Sequence, residues 1–176
     1  MEIRVTQVEE NRRKACPSSD TELGFGRYFT DHMFLCDFSP EQGWHDARIA
    51  PYQPLTLEPS AMIFHYGQQV FEGLKAYRGQ DGGIRLFRHR KNLERMQRSA
   101  KRLCMPEFNI EDIADGLRQL VLIDQRWIPK TEGCALYIRP TMIATDPFLG
   151  VRPSRNYLLY MILSPVGSYY PEGFNP

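Results

Sequence analysis

The chain has 176 residues, 42% of them hydrophobic and 24% charged, a composition that fits a folded domain and argues against a disordered segment. Its 22 lysines and arginines face 21 aspartates and glutamates, so the formal net charge is +1; no long-range field favours nucleic acid or an anionic membrane, and any anion site must be local. No apolar run reaches the roughly 18 residues of a membrane span, and the opening MEIRVTQVEENRRK lacks a signal core and is too acidic for a transit peptide, so a cytoplasmic location is the default expectation.

The first 24 residues read as a polar arm around the turn-like CPSSDTELG, with order beginning near Phe25. RYFTDHMFLCDF, residues 27–38, has strand composition, SPEQGW supplies a turn, and short extended pieces follow at 48–50 and 55–57. Among the nearby prolines 51, 54 and 59, Leu55 is the surest strand position. Ser60 is placed to cap a helix that carries AMIFHYGQQVFEG to a stop at Gly73.

LKAYRG, QDGG and IRLFRH then spell strand, Asp-Gly turn and strand, a local hairpin signal. A basic helix over about 90–104 repeats Leu93, Met96, Ala100 and Leu103 at helical spacing, and Pro106 ends it. Asn109 caps a second helix with the stripe Ile110, Ile113, Leu117, Leu120 and Val121, in which Gly116 is a weak point. CALYIRPTMIA and NYLLYMILSPV read as buried strands, and GSYYPEGFNP as the beginning of a linker. Hairpins followed by helices and further strands predict an α+β layer architecture, divided into an arm (1–24), a domain (25–166) and the start of a linker (167–176).

Cys16, Cys36, Cys104 and Cys134 match no zinc or CxxC spacing and are expected as reduced, core-packed thiols. Asp31 and His32 are neighbours whose side chains would leave a strand on opposite faces, and they spell no metal motif. His65 has no placed nucleophile or acid beside it and reads as a structural histidine.

Arg139 is a permanent charge inside an apolar run, and burying it requires an anionic partner. At strand spacing the phenol of Tyr137 shares its face, so the two can grip a carboxylate or phosphate; a salt bridge to an internal acid is the alternative. Arg95, early in a helix, can hold a phosphate or belong to a solvated basic face. Tyr66 and Phe71 flank GQQV, the phenol as a ligand-facing group and the phenyl as core.

Taken together, FGRYFTDHMF, RIAPYQPLTLEPSAMIFHYGQQVFEGLKAYRG, IRLFRHRKNLERMQRSAKRLCMP, ALYIRPTMIATDPFLGV and ILSPVGSYYPEG resemble the branched-chain amino acid aminotransferases, which are fold type IV pyridoxal-phosphate enzymes. The resemblance runs almost continuously from Phe25 to Pro171. It implies the small N-terminal α/β domain of such an enzyme, a mostly antiparallel sheet with flanking helices that forms one wall of a site shared with a second, cofactor-bearing domain absent from this chain. Matched position by position, Arg95 would contact the phosphate of pyridoxal 5'-phosphate. Tyr137, Arg139, Tyr66, Phe71, Phe25 and Tyr169 would bind substrate, and Leu149 and Val151 would sit on a loop reaching the other subunit of a homodimer.

The implied reaction exchanges the amino group of leucine, isoleucine or valine with 2-oxoglutarate, giving branched 2-oxo acids and glutamate. The Schiff-base lysine that this chemistry needs is expected beyond Pro176, so no catalytic residue is assigned; Lys75 matches the small-domain hairpin instead, and the chain alone is expected to be inactive. Other fold type IV members, or a non-catalytic partner of a complete enzyme, are the rival readings. Apolar surface left by a missing second domain would favour self-association.

Overall fold

The computed structural model describes residues 1–167. One sheet of eight strands organises them: β1 (Arg4–Val5), β2 (His32–Ser39), β3 (Gly43–Pro51), β4 (Gln69–Phe71), β5 (Leu74–Arg78), β6 (Ile84–Leu86), β7 (Ala135–Ala144) and β8 (Tyr157–Val166). The order is β1-β3-β2-β8-β7-β5-β6, with β4 also on β7. Every described pairing is antiparallel except β1 on β3.

Side chains alternate across the two faces as the strand period requires. Phe34, Cys36, Leu136, Ile138, Met142, Leu159, Met161 and Leu163 point to one face, where α2 (His89–Arg102) and α3 (Ile110–Ile123) cover them with Leu93, Met96, Ala100, Ile113, Leu117 and Leu120. The opposite face holds a smaller cluster, Met33, Leu35, Ile143 and Leu158, roofed by Leu55, Leu57 and Ile63. Along β7 this second face continues into Tyr137 and Arg139, which pair across to Ser164 and Ile162 of β8. Tyr137 and Arg139 therefore stand on the side of the sheet away from the long helices.

Several expectations hold and several are corrected. The hairpin at 74–86, the two long strands β7 and β8, and the Asn109 cap, whose side chain accepts from the backbone N–H groups of Glu111 and Asp112, are all present. The helix expected to run to Gly73 is only α1 (Met62–Tyr66). Gly67 adopts φ 60° and closes it, Ser60 does not cap it, and Val70 leaves to pair with Met142 in the sheet. Leu55 and Leu57 lie outside any strand and instead cover the second face, because Pro54 and Pro59 remove ladder donors around them. Leu103 is 42% exposed and falls after α2, and among the cysteines only Cys36 is buried, its thiol pushed up to about 12 by desolvation.

Order also begins well before Phe25. β1 extends the sheet edge, and two buried acids fasten the arm. Asp31 accepts from the Lys14 backbone N–H (2.8 Å), Arg126 Nη2 (2.5 Å) and Trp127 Nε1 (2.9 Å). Asp124 faces His32 Nδ1 at 2.7 Å, and the Val8 N–H donates to His32 Nε2 at 2.9 Å, which makes Nε2 the acceptor and Nδ1 the N–H turned to the carboxylate. Lys14 completes the tie, with Nζ donating to the Thr30 carbonyl at 2.7 Å and lying 4.1 Å from the Tyr52 ring centre.

Candidate functional site

Tyr137 and Arg139 emerge side by side from β7 on the face away from α2 and α3. Arg139 donates from Nη2 (2.8 Å) and Nε (3.2 Å) to the Tyr137 oxygen, and its guanidinium carbon lies 4.4 Å from the centre of the Phe71 ring. Phe25 meets the Tyr137 ring edge-on with centroids 5.0 Å apart. Arg139 is partly exposed, not buried, and among the described residues it forms no salt bridge. Because an arginine only donates, the phenol oxygen is the acceptor and its own hydrogen is left for another acceptor. Phenol and guanidinium lie together, framed by the Phe25 and Phe71 rings, which are 56% and 58% exposed.

The second polar centre lies where β4 turns into β5. Glu72 occupies that turn, with its backbone N–H on the Pro140 carbonyl (2.9 Å) and a side chain only 5% exposed. Its carboxylate accepts Arg95 Nε at 2.5 Å and Nη2 at 2.6 Å, Asn92 Nδ2 at 3.2 Å and the Gly73 N–H at 3.3 Å. Burial alone would push this carboxyl up, but those donors outweigh it and hold it below the usual carboxylate range. The two centres adjoin through Gly73, where an added Cβ would collide with the Tyr137 oxygen. A glycine there lets the phenol lie against the turn.

Arg95 faces a hollow of about 530 Å³ lined by Phe87, Arg88, Lys91, Asn92, Glu94 and Arg98. Its side chain is 60% exposed, and no hydrogen bond among the described residues uses Nη1. A second hollow of about 350 Å³ is lined by Gly73, Lys75, Tyr77, Phe87, Asn92 and Tyr137. Lys75 stands directly opposite Tyr137 in the β5 and β7 ladder and so shares its face.

Of the residues singled out from sequence, Phe25, Phe71, Tyr137 and Arg139 form one contact chain, and Arg95 joins it through Glu72 and Gly73. Tyr66 forms a separate link, its hydroxyl donating to the Leu149 carbonyl, so the α1 phenol braces the 146–155 loop. Leu149 is 62% and Val151 91% exposed. His65 Nε2 lies 3.0 Å from the Pro59 carbonyl. Tyr169 and the expected linker, from 168 onward, lie outside the described residues. Sequence reasoning missed Glu72 and Asn92; the available signal was an acid set between Phe71 and Gly73 in an otherwise apolar stretch.

No family model matches the chain. A branched-chain-amino-acid aminotransferase 2 of Bacillus subtilis (strain 168) is 55% identical over 174 residues, covering 99% of this chain and 47% of the relative. The mitochondrial branched-chain-amino-acid aminotransferase of Mus musculus is 45% identical over 170 residues, covering 97% of this chain and 43% of the relative. The chain thus spans less than half the length of these relatives. Among solved structures, the Thermoproteus uzoniensis branched-chain aminotransferase with norvaline superposes with a TM-score of 0.59 at 24% identity, over 78% of this chain and 42% of that one. The Escherichia coli branched-chain amino acid aminotransferase gives 0.56 at 24% identity, over 78% and 41%. At such identity these structures speak to the fold, which is that of the N-terminal domain of fold type IV aminotransferases.

Proposed function

Over 99% of its length the chain matches the N-terminal part of branched-chain-amino-acid aminotransferases, and from that premise we propose that the whole protein moves the amino group of leucine, isoleucine or valine to 2-oxoglutarate. In this reading it works with pyridoxal 5'-phosphate, as a cytoplasmic homodimer whose 146–155 loop, through Leu149 and Val151, reaches the partner's site. The observation that supports the reading best is the Tyr137 and Arg139 pair, which has no acid partner among the described residues and stands one glycine away from the Arg95 centre.

The donor set at Arg95 fits a phosphate: a guanidinium edge without a partner among the described residues, with Arg88 and Arg98 around the same hollow, where Lys91 is paired to Glu94 at 2.8 Å. The cofactor, when bound, supplies an electron sink for the amino acid's α-carbon. The residues of this chain bind and orient. Arg95 holds the phosphate end, Arg139 and the free hydrogen of the Tyr137 phenol hold the substrate carboxylate, and Phe25 and Phe71, with Tyr66 and Tyr169, wall the branched side chain away from water. The lysine that joins the cofactor is read as lying in the part of the relatives' length that this chain does not span.

The test is glutamate formation by the purified whole protein from 2-oxoglutarate with each branched amino acid. The expected result is turnover with all three and a marked loss for Arg139→Ala. Turnover with D-alanine but none with L-leucine would contradict the reading.

A further inference from the structure

Glu72 has no assigned role in the reading above, yet it is the most heavily bonded side chain near the site. Two of its four donors, Asn92 Nδ2 and the Gly73 N–H, have nothing to do with Arg95. Asn92 Nδ2 also reaches the Gly73 carbonyl at 3.3 Å, so α2 and the β4 to β5 turn are clamped together at this point. The carboxylate is therefore held by the fold itself. Arg95 is the exposed partner: its side chain is 60% open to solvent where that of Glu72 is 5%, and an unheld arginine at such exposure samples many rotamers.

We propose that Glu72 is the positioning residue of the anion site, gripping the Nε and Nη2 edge of Arg95 so that Nη1 is presented to the hollow it shares with Arg88 and Arg98. This rests on the reading of Arg95 as a phosphate-holding residue. Orientation and charge pull in opposite directions here, which makes the proposal decidable. If Glu72 acted only as a nearby negative charge, neutralising it would strengthen anion binding, since Arg88 and Arg98 would remain and Lys91 is already offset by Glu94. If it positions Arg95, neutralising it weakens anion binding although the site has become more positive.

The experiment compares equilibrium binding of pyridoxal 5'-phosphate and of pyridoxal, which lacks the phosphate, to the purified protein; their affinity ratio isolates the phosphate contribution. Glu72→Gln is expected to lower that ratio about tenfold with pyridoxal affinity unchanged. Glu72→Asp, which keeps the charge but withdraws it by one methylene, should lower it by a smaller factor. Arg95→Lys should abolish most of the preference, and adding Glu72→Gln to it should change nothing further, whereas a merely structural role would make the two effects additive. In parallel, the Nε–H resonance of Arg95 should be protected from exchange in the native protein and lose that protection in Glu72→Gln. A ratio that is unchanged or raised in folded Glu72→Gln overturns the positioning role and leaves the phosphate reading of Arg95 intact. A native protein with no preference for the phosphorylated compound overturns the phosphate reading, and this proposal with it.

Discussion

Asp31 and Glu72 are both buried carboxylates that bind an arginine at 2.5 Å, with side-chain exposures of 2% and 5%. Around Asp31 the remaining donors are the Trp127 indole and a backbone N–H of the N-terminal arm, and Arg126 turns another hydrogen-bond donor back to the Lys14 carbonyl at 2.7 Å. Arg126 Nη1 also donates to Cys16 Sγ at 3.1 Å, so both of its terminal nitrogens fasten chain to chain. Around Glu72 the protein supplies equal anchoring to the acid but leaves one edge of the arginine free over a hollow. The same pairing chemistry closes the structure in one place and presents a charge in the other, and the difference lies in what the outer edge of the guanidinium meets.

The largest expected effect is at the closed pair. Asp31→Ala leaves the Trp127 indole N–H and the Lys14 backbone N–H without their acceptor, and should cost about 3 kcal/mol in urea unfolding while speeding amide exchange over residues 1–24. A loss under about 1 kcal/mol would mean that the arm is not held there. Next comes Gly116, which the helix rule marks as merely unfavourable. An added Cβ would sit 2.5 Å from Cε2 of Phe34, where α3 crosses β2. Gly116→Ala is therefore expected to destabilise by about 1–3 kcal/mol against a helix-propensity gain of about 1 kcal/mol; a more stable variant would contradict the close approach.

Acid titration sharpens the comparison. Burial raises the Asp31 carboxyl, but the bonds from Trp127, Lys14 and Arg126 bring it below its ordinary value, and Glu72 behaves alike with Arg95 and Asn92. A depressed folded value means stability that is present above the unfolded carboxylate values, about 3.9 for Asp and 4.3 for Glu, and is lost as pH falls through the lower folded ones. Unfolding midpoints measured from neutral pH downward should drop below about pH 4, and Asp31→Asn should flatten that limb. An identical slope in the variant would remove Asp31 from the linkage. The smallest effect on stability is expected at Tyr137→Phe, within about 0.5 kcal/mol, alongside an increase of about tenfold in the leucine KM of the whole protein. An unchanged KM would take the phenol out of carboxylate binding.

Local signals made much of this fold legible. An Asp-Gly turn between alternating strands, an asparagine before an apolar stripe and two long β-branched and aromatic runs each carry their structure within a few residues. What stayed hidden depends on distant partners. Gly67 ends α1 early because Val70 is wanted by β7, and the polar arm is ordered because acids at positions 31 and 124 await it. The pairing of Tyr137 with Arg139 followed from strand periodicity. Glu72 did not, since its meaning comes from an arginine 23 positions later on another element.

Lys75 is where the division between holding and reacting is most exposed, for it faces Tyr137 across the ladder and lines the same hollow. The most direct measurement is borohydride reduction of the protein after incubation with pyridoxal 5'-phosphate and desalting, followed by peptide mapping. The expected result is no adduct on any lysine within residues 1–176, with this face acting only to bind and orient. A stoichiometric adduct confined to Lys75 would contradict that and make this face the chemical centre.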